Sequence, residues 1–353
     1  MQKKRLFRKK FLKSGIDGFL ITDLINVRYL SGFTGSSGFV VITKKDAIFV
    51  TDFRYEEQAK EEVKGFKFRF ERRERTKEIK KIIEDYGIKK LGFEDHNVSY
   101  ALFKKLIKRG VRVKAVAGGV ESLRLVKSDE ELSCIRTAVQ RAESAFRKLQ
   151  PSIKPGITEL KLALKFEEFL KKEGCKKIPF EVIVAAGSMS ALPHAKPSNK
   201  IIKKGELIVF DWGGECNGYY SDMTRTVLIK DGSTTKQKEL YYTVLEAQSR
   251  AIKAVKAGIK SSAVDRAARS YIKEQGYGEK FGHGTGHGIG LAVHERPFIS
   301  WKSRDMIGQG MVFTVEPGIY LPGFGGVRIE DMVAVRKNGA ERLTKLSRRL
   351  RVI

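Results

Sequence analysis

Asp211, Asp222, His287, Glu316 and Glu330 lie in short motifs of the C-terminal half that are rich in glycine or flanked by turns. Four carboxylates and one imidazole have the charge and donor chemistry to hold two divalent cations for hydrolysis. In VFDWGGECNGYYSDMTRTV an apolar run ends in Asp211, a glycine-containing turn follows, and a second run carries Asp222, which is the pattern of a hairpin presenting two acids together. His287 lies in FGHGTGHGIG, where glycine lets the backbone pass close to an ion or ligand. Glu316 in MVFTVEPGIY and Glu330 in GGVRIEDMV each stand at or near the end of a β-branched run expected to form a strand.

A single Asp or Glu is ordinarily solvated by itself. Asp211 and Glu316 resist that reading because they follow ELIVF and MVFTV, runs with the character of buried strands. A carboxylate placed there needs a metal or a cationic partner. Four ionised acids collected at one point would repel one another strongly, and two divalent ions would neutralise them.

With these residues in place, the chain resembles the pita-bread metallopeptidases, and within them the Xaa-Pro peptidases, aminopeptidase P and prolidase. FDWGG with SDMTRT, HGTGHGIG, VHERP, TVEPGIY and RIED are similar to that family's motif blocks in the same order. NVRYLSGFTGSSG and TDFRYEEQA resemble the creatinase-like N-terminal domain of its bacterial members. The resemblance implies that Asp222 and Glu330 bridge two metals, that Asp211 chelates one, and that His287 with Glu316 completes the other. It further implies that Glu316 takes a proton from the attacking water, that His194 and His294 stand near the scissile carbonyl and proline, and that His283 stands beside the ligands. Such imidazoles could donate to a developing oxyanion or a leaving amine. Arg328 and Tyr320 look like accessory residues orienting Asp211, with a strand ion pair and a packed tyrosine as the competing reading. His96, in FEDHNVS, receives no role.

Four carboxylates and an imidazole without thiolate make a hard donor set that favours Mn(II) and accommodates Co(II), Fe(II) or Zn(II). HERPF at His294 is not a zinc-binding HExxH helix, because Phe298 stands where the second histidine belongs. The stretch from Gly282 to Gly290 fits GxGxxG in no register, so a dinucleotide site is unsupported.

The surrounding elements can be read outward from these motifs. A chain of 353 residues with 41% hydrophobic content suggests two domains. Before residue 125, DGFLIT, GFVVIT, DAIFV and KLGFE alternate with the helical stretches TKEIKKIIEDY and ALFKKLIKRG, which predicts an α/β domain over 1–125. Ser128 to Glu131 has the form of a capping box opening a helix to about Leu149. Thr158 can cap a second helix, and two more follow the first acidic hairpin, each expected to stop at glycine. Helices mixed with antiparallel hairpins predict an α+β catalytic domain over 126–353.

Cys134, Cys175 and Cys216 form no CxxC pair, which suits a reducing, cytoplasmic compartment. The basic N-terminus lacks the apolar core of a secretory signal, and no run approaches the roughly 20 apolar residues of a membrane span. Lys and Arg number 69 against 41 Asp and Glu, a net charge of +28. That charge keeps a second class of function open, a basic pita-bread binding module that contacts nucleic acid and lacks peptidase activity. The intact acidic set argues against it, and the basic residues are spread along helices without an RNA-binding motif. Methionine aminopeptidase shares the metal set, but the N-terminal domain, VHERP and LPHAKPS favour the proline-specific branch. The expected substrates are short peptides with proline second, aminopeptidase is preferred over dipeptidase, and family resemblance suggests a homodimer.

Overall fold

The computed structural model describes residues 2–11, 15–71, 74–107, 110–232 and 234–353. The chain divides into two compact units, Met1–Arg124 and Leu125–Ile353.

In the first unit, α1 (Gln2–Phe11), α2 (Leu24–Ser31), α3 (Glu56–Glu62), α4 (Arg75–Asp85), α5 (Tyr100–Leu106) and α6 (Glu121–Arg124) surround one mixed sheet. Its strands are β1 (Gly18–Ile21), β2 (Phe39–Thr43), β3 (Ala47–Thr51), β4 (Lys67–Phe70), β5 (Lys90–Glu94) and β6 (Arg112–Val116), in the order β4-β3-β2-β1-β5-β6. β1, β2 and β3 are buried at every position, as their unbroken apolar runs require. The basic stretch ALFKKLIKRG forms α5 and leaves the helix at Ile107; residues 108 and 109 lie outside the described residues. Glu94 is wholly buried and accepts from the backbone N–H of Thr22 at 2.7 Å and Asp23 at 2.8 Å and from Asn26 Nδ2 at 2.7 Å. Burial pushes its carboxyl up to about 7, against those hydrogen bonds. His96 stands beside it, with Nε2 3.3 Å from Asp23 and 3.4 Å from Glu121.

The second unit opens with α7 (Asp129–Leu149), capped by Ser128 and Glu131 in the reciprocal arrangement the sequence predicts, and α8 (Glu159–Lys172), capped by Thr158. A four-stranded sheet follows, built from β7 (Ile183–Ala186), β8 (Leu207–Trp212), β11 (Met223–Leu228) and β19 (Arg351–Val352) in the order β19-β11-β8-β7. The short pair β9 (Glu215–Cys216) and β10 (Tyr219–Tyr220) forms the tip of the β8–β11 hairpin. Next come α9 (Thr235–Ala254) and α10 (Ser261–Glu274). α9 ends at Ala254, ahead of the expected stop at Gly258, because Val255 turns to extended backbone and buries its side chain.

A second sheet has the order β13-β12-β14-β17-β18, from β12 (Gly286–Gly288), β13 (Glu295–Ile299), β14 (Val312–Val315), β17 (Asp331–Arg336) and β18 (Gly339–Arg342). β15 (Gly318–Leu321) and β16 (Gly325–Arg328) form a separate hairpin. The chain thus twice follows a helix pair with an antiparallel strand pair, β8–β11 and β14–β17, beside which two acids stand. Alternation along β8 sends Ile208, Phe210 and Trp212 into a core with α7 and α8 and leaves Asp211 on the opposite face. Trp212 anchors that arrangement: its ring stacks on Phe146 at 4.6 Å, and its indole N–H donates to the Ala142 carbonyl at 3.0 Å.

Candidate metal centre

Antiparallel register brings the first two acids together. Asp211 in β8 is opposite Thr224 in β11, and Asp222 precedes Thr224 by two residues, so all three share one face. In the other sheet Val315 is opposite Asp331, and extending that ladder by one residue sets Glu316 against Glu330. The sheets meet where Thr224 Oγ1 donates to Glu330 Oε2 at 2.7 Å and the Glu330 N–H donates to the Thr224 carbonyl at 3.1 Å.

His287 reaches this point from β12. Its N–H donates to Thr314 Oγ1 at 3.0 Å, and that hydroxyl donates to Glu316 Oε1 at 3.0 Å. The Nδ1 of His287 lies 3.1 Å from the Gly288 carbonyl, which assigns the proton to Nδ1 and leaves the Nε2 lone pair free. Nε2 points inward, 3.6 Å from Asp222 and 3.4 Å from Glu316. The backbone must pass close by for this to happen. A Cβ on Gly286 would lie 2.0 Å from the Thr314 carbonyl oxygen, so only glycine fits.

The electrostatics are those of a site built for cations. Asp222 and Glu330 are buried, and desolvation with the charge of neighbouring acids pushes both well above the usual carboxylate range. Desolvation raises Glu316 as well, and it lowers His287, His283 and His294, keeping the imidazoles neutral. Asp211 Oδ1, Asp222 Oδ1 and Glu330 Oε1 are buried oxygens without a hydrogen-bond partner. Ligand atoms of Asp222, His287 and Glu330 all fall within 4.8 Å of one another. Converging orphaned carboxylate oxygens beside an unprotonated imidazole nitrogen fit divalent metal ions.

Asp211 Oδ2 accepts from Arg328 Nη2 at 2.6 Å. The same buried guanidinium donates to Tyr320 Oη at 3.0 Å, Thr224 Oγ1 at 3.1 Å and the Pro193 carbonyl at 3.2 Å. Burial opposes its charge, but Tyr320, Asp211 and Glu316 outweigh that and hold it firmly protonated. Tyr320 meets Arg328 and, at 2.9 Å, His283 Nε2. His283 Nδ1 lies 2.8 Å from the Gly284 carbonyl, so both of its ring nitrogens are engaged.

The five acidic and histidine residues, with Arg328, His194, His283 and His294, line one cavity of about 580 Å³. His294 lies with its ring centroid 4.2 Å from that of His287, and His194 is exposed at the mouth. HERPF forms part of a strand, not a helix. Sequence reasoning passed over Thr224, Thr314 and the adjacent acid Asp331. Asp331 faces away from the cavity to Arg225 at 2.8 Å and Thr344 at 2.6 Å, while Arg342 and Arg348 approach it at 3.5 and 3.8 Å. A threonine directly opposite a candidate ligand in a paired strand was the available signal for Thr224. Phe180, Glu181, Ile183 and Ser300 also line the cavity and lie in no quoted motif, while Lys196 in LPHAKPS and Phe298 in HERPF line it without having been given a role.

Residues 133–337 match metallopeptidase family M24, and residues 4–126 match the creatinase/prolidase N-terminal domain. The chain is 40% identical to an Xaa-Pro dipeptidase of Pyrococcus horikoshii, over 96% of this chain and 95% of that protein. A solved Xaa-Pro dipeptidase from Bacillus anthracis is 42% identical with a TM-score of 0.96, covering 100% of this chain and 99% of that one. An X-Pro aminopeptidase structure from Thermotoga maritima is 39% identical with a TM-score of 0.91, covering 100% of both chains. With its α/β creatinase-type N-terminal domain, its α+β pita-bread domain and its converging acids, the chain belongs to metallopeptidase family M24.

Proposed function

We propose that this protein is a dinuclear-metal Xaa-Pro peptidase that acts first on dipeptides. The observation that carries the proposal is the buried acidic cluster around His287: ligand atoms of Asp222, His287 and Glu330 lie within 4.8 Å of one another, and Asp211, Asp222 and Glu330 each keep a buried oxygen without a hydrogen-bond partner, in one substrate-sized cavity. Asp211, Asp222, His287, Glu316 and Glu330 would hold the metals. The donor set, without thiolate, favours Mn(II) over Co(II), Fe(II) or Zn(II). When bound, the metals polarise the substrate carbonyl and make the attacking water acidic.

The protein's own groups do the rest. Glu316 is held by Thr314 through one oxygen, and its raised affinity for protons suits it to take one from the attacking water. His294, exposed to the cavity and kept neutral beside His287, and His194 at the mouth would donate to the developing oxyanion and to the departing proline nitrogen. His283, with both nitrogens engaged, acts by positioning Tyr320 and Arg328. Phe180, Ile183, Pro193 and Phe298 give the pyrrolidine ring an apolar wall. Proline selects for such a dedicated site because its tertiary amide has no N–H for ordinary peptidases to grip.

The names of the relatives move the preference from aminopeptidase to dipeptidase: those from Pyrococcus horikoshii, Pyrococcus furiosus and Bacillus anthracis are named Xaa-Pro dipeptidase or prolidase. The deciding experiment is hydrolysis of Ala-Pro and Ala-Pro-Ala by purified protein with Mn(II), beside an Asp222→Ala control. Cleavage of the dipeptide alone supports a dipeptidase, and cleavage of both an aminopeptidase. Retained activity in the control would overturn the two-metal reading.

A further inference from the structure

Among the described residues, the lysine and arginine side chains lining the cavity are Lys196 and Arg328. Arg328 is buried and engaged by Asp211, Tyr320, Thr224 and Pro193. Lys196 is different. Its side chain is 83% exposed, and its ammonium lies 3.9 Å from Glu181, itself 61% exposed and on the same cavity wall. An ion pair so long and so open to solvent contributes little, so the ammonium is available to another anion.

The segment bearing Lys196 is fixed at both ends. On one side the Pro193 carbonyl accepts from Arg328, the guanidinium that also holds Asp211. On the other, Ser198 donates through its N–H at 3.1 Å and its hydroxyl at 2.7 Å to Glu159, which is fully buried and also receives the Ala186 N–H at the end of β7. Ala195 between them is buried. The backbone of Lys196 is therefore held in a set relation to the acids, and its four-carbon stem carries the charge across the mouth.

An Xaa-Pro dipeptide carries a carboxylate on the proline Cα, where a longer peptide has a neutral amide. The other charged groups that face such a substrate, apart from Arg328 and the histidines, are the acids Glu181, Asp211, Asp222, Glu316 and Glu330. A further carboxylate entering a cavity already lined by five acids is favoured by a cation at the mouth. We infer that Lys196 receives the C-terminal carboxylate of a dipeptide substrate, with Glu181 competing for the same ammonium. Lys196 then sets specificity toward dipeptides and leaves the chemical step to the groups beneath it. The inference rests on the Xaa-Pro reading of the site.

The test compares KM and kcat for Ala-Pro and Ala-Pro amide with Mn(II), in the native protein and in K196A, K196R and E181Q. K196A is expected to raise KM for Ala-Pro about tenfold relative to KM for the amide, with kcat for Ala-Pro held within about twofold, the signature of a lost charge-assisted contact made equally in ground and transition states. K196R should restore most of the difference, and E181Q should lower KM for Ala-Pro by removing the competitor. A K196A variant that shifts both substrates by one factor, or neither, overturns the role of Lys196 while the peptidase reading stands. A native protein that cleaves neither substrate with any of Mn(II), Co(II) or Zn(II) overturns both.

Discussion

Asp222, Glu316 and Glu330 are desolvated and repel one another, and without a cation their charge works against the fold. The sign is set by their raised proton affinity: a buried acid of this kind lowers stability at every pH above its unfolded pKa. Asp222→Asn should therefore melt higher than the native protein when both are chelated at neutral pH. With Mn(II) the order should reverse, and activity should fall about 10³-fold or more. Thermal melts with and without chelator, beside Ala-Pro turnover, check both halves. A different demand falls on Arg328, whose planar fork meets four acceptors that an ammonium could not reach together. Arg328→Lys should weaken metal affinity about 10–100-fold, as read by Mn(II) titration. The acids and histidines of the site were legible in sequence because charged groups beside apolar runs are conspicuous. Thr224, Thr314, Phe180 and Lys196 were not, since ordinary residue types acquire their meaning only when register and loop path set them against the acids.

At the scale of elements, the placing of His287 depends on how closely β12 and β14 approach. Gly286→Ala would drive a methyl into the Thr314 carbonyl and push β12 outward, carrying the imidazole away from Asp222 and Glu316. The expected result is a loss of about 3 kcal/mol or more of stability and a larger loss of metal affinity, measured by denaturant unfolding and metal titration on the same variant. The strands themselves were readable because apolar runs in β2, β3, β8 and β14 have strand length and composition. The end of α9 was not, because the burial of Val255 overrode the helix-stopping signal of Gly258. In the first unit the fixed element is the junction of β1 and α2, which Glu94 ties together through Thr22, Asp23 and Asn26. Its carboxyl is raised to about 7 from 4.5, so the folded state binds the proton more tightly than the unfolded chain. The contribution of Glu94 to stability should fall as pH rises from about 4.5 to about 7 and then level off, by about 3 kcal/mol in all. Denaturant unfolding of the metal-saturated protein and of Glu94→Gln across that range should show the difference between them shrinking by this amount.

For the whole molecule, a net charge of +28 on 353 residues makes self-repulsion the dominant long-range force on the surface. Raising salt from about 0.01 M to about 0.2 M shortens the screening length severalfold and should raise the melting temperature of the metal-loaded protein. Among the described residues no helix is long and apolar enough to cross a membrane.

The neighbours Glu330 and Asp331 carry a further consequence. They point to opposite sides of one strand: Glu330 exposes an oxygen to the cavity without a proton donor, while Asp331 is met by Arg225, Thr344 and two more arginines. A slip of β17 by one residue would bring either Asp331 with Met332, or Ile329 with Glu330, into the two places, so that one site would receive an acid of the wrong length and the other none. Two adjacent acids of unequal reach thus act as a lock against misalignment, and exchanging them as Glu330→Asp with Asp331→Glu should disable the enzyme without altering its composition or charge.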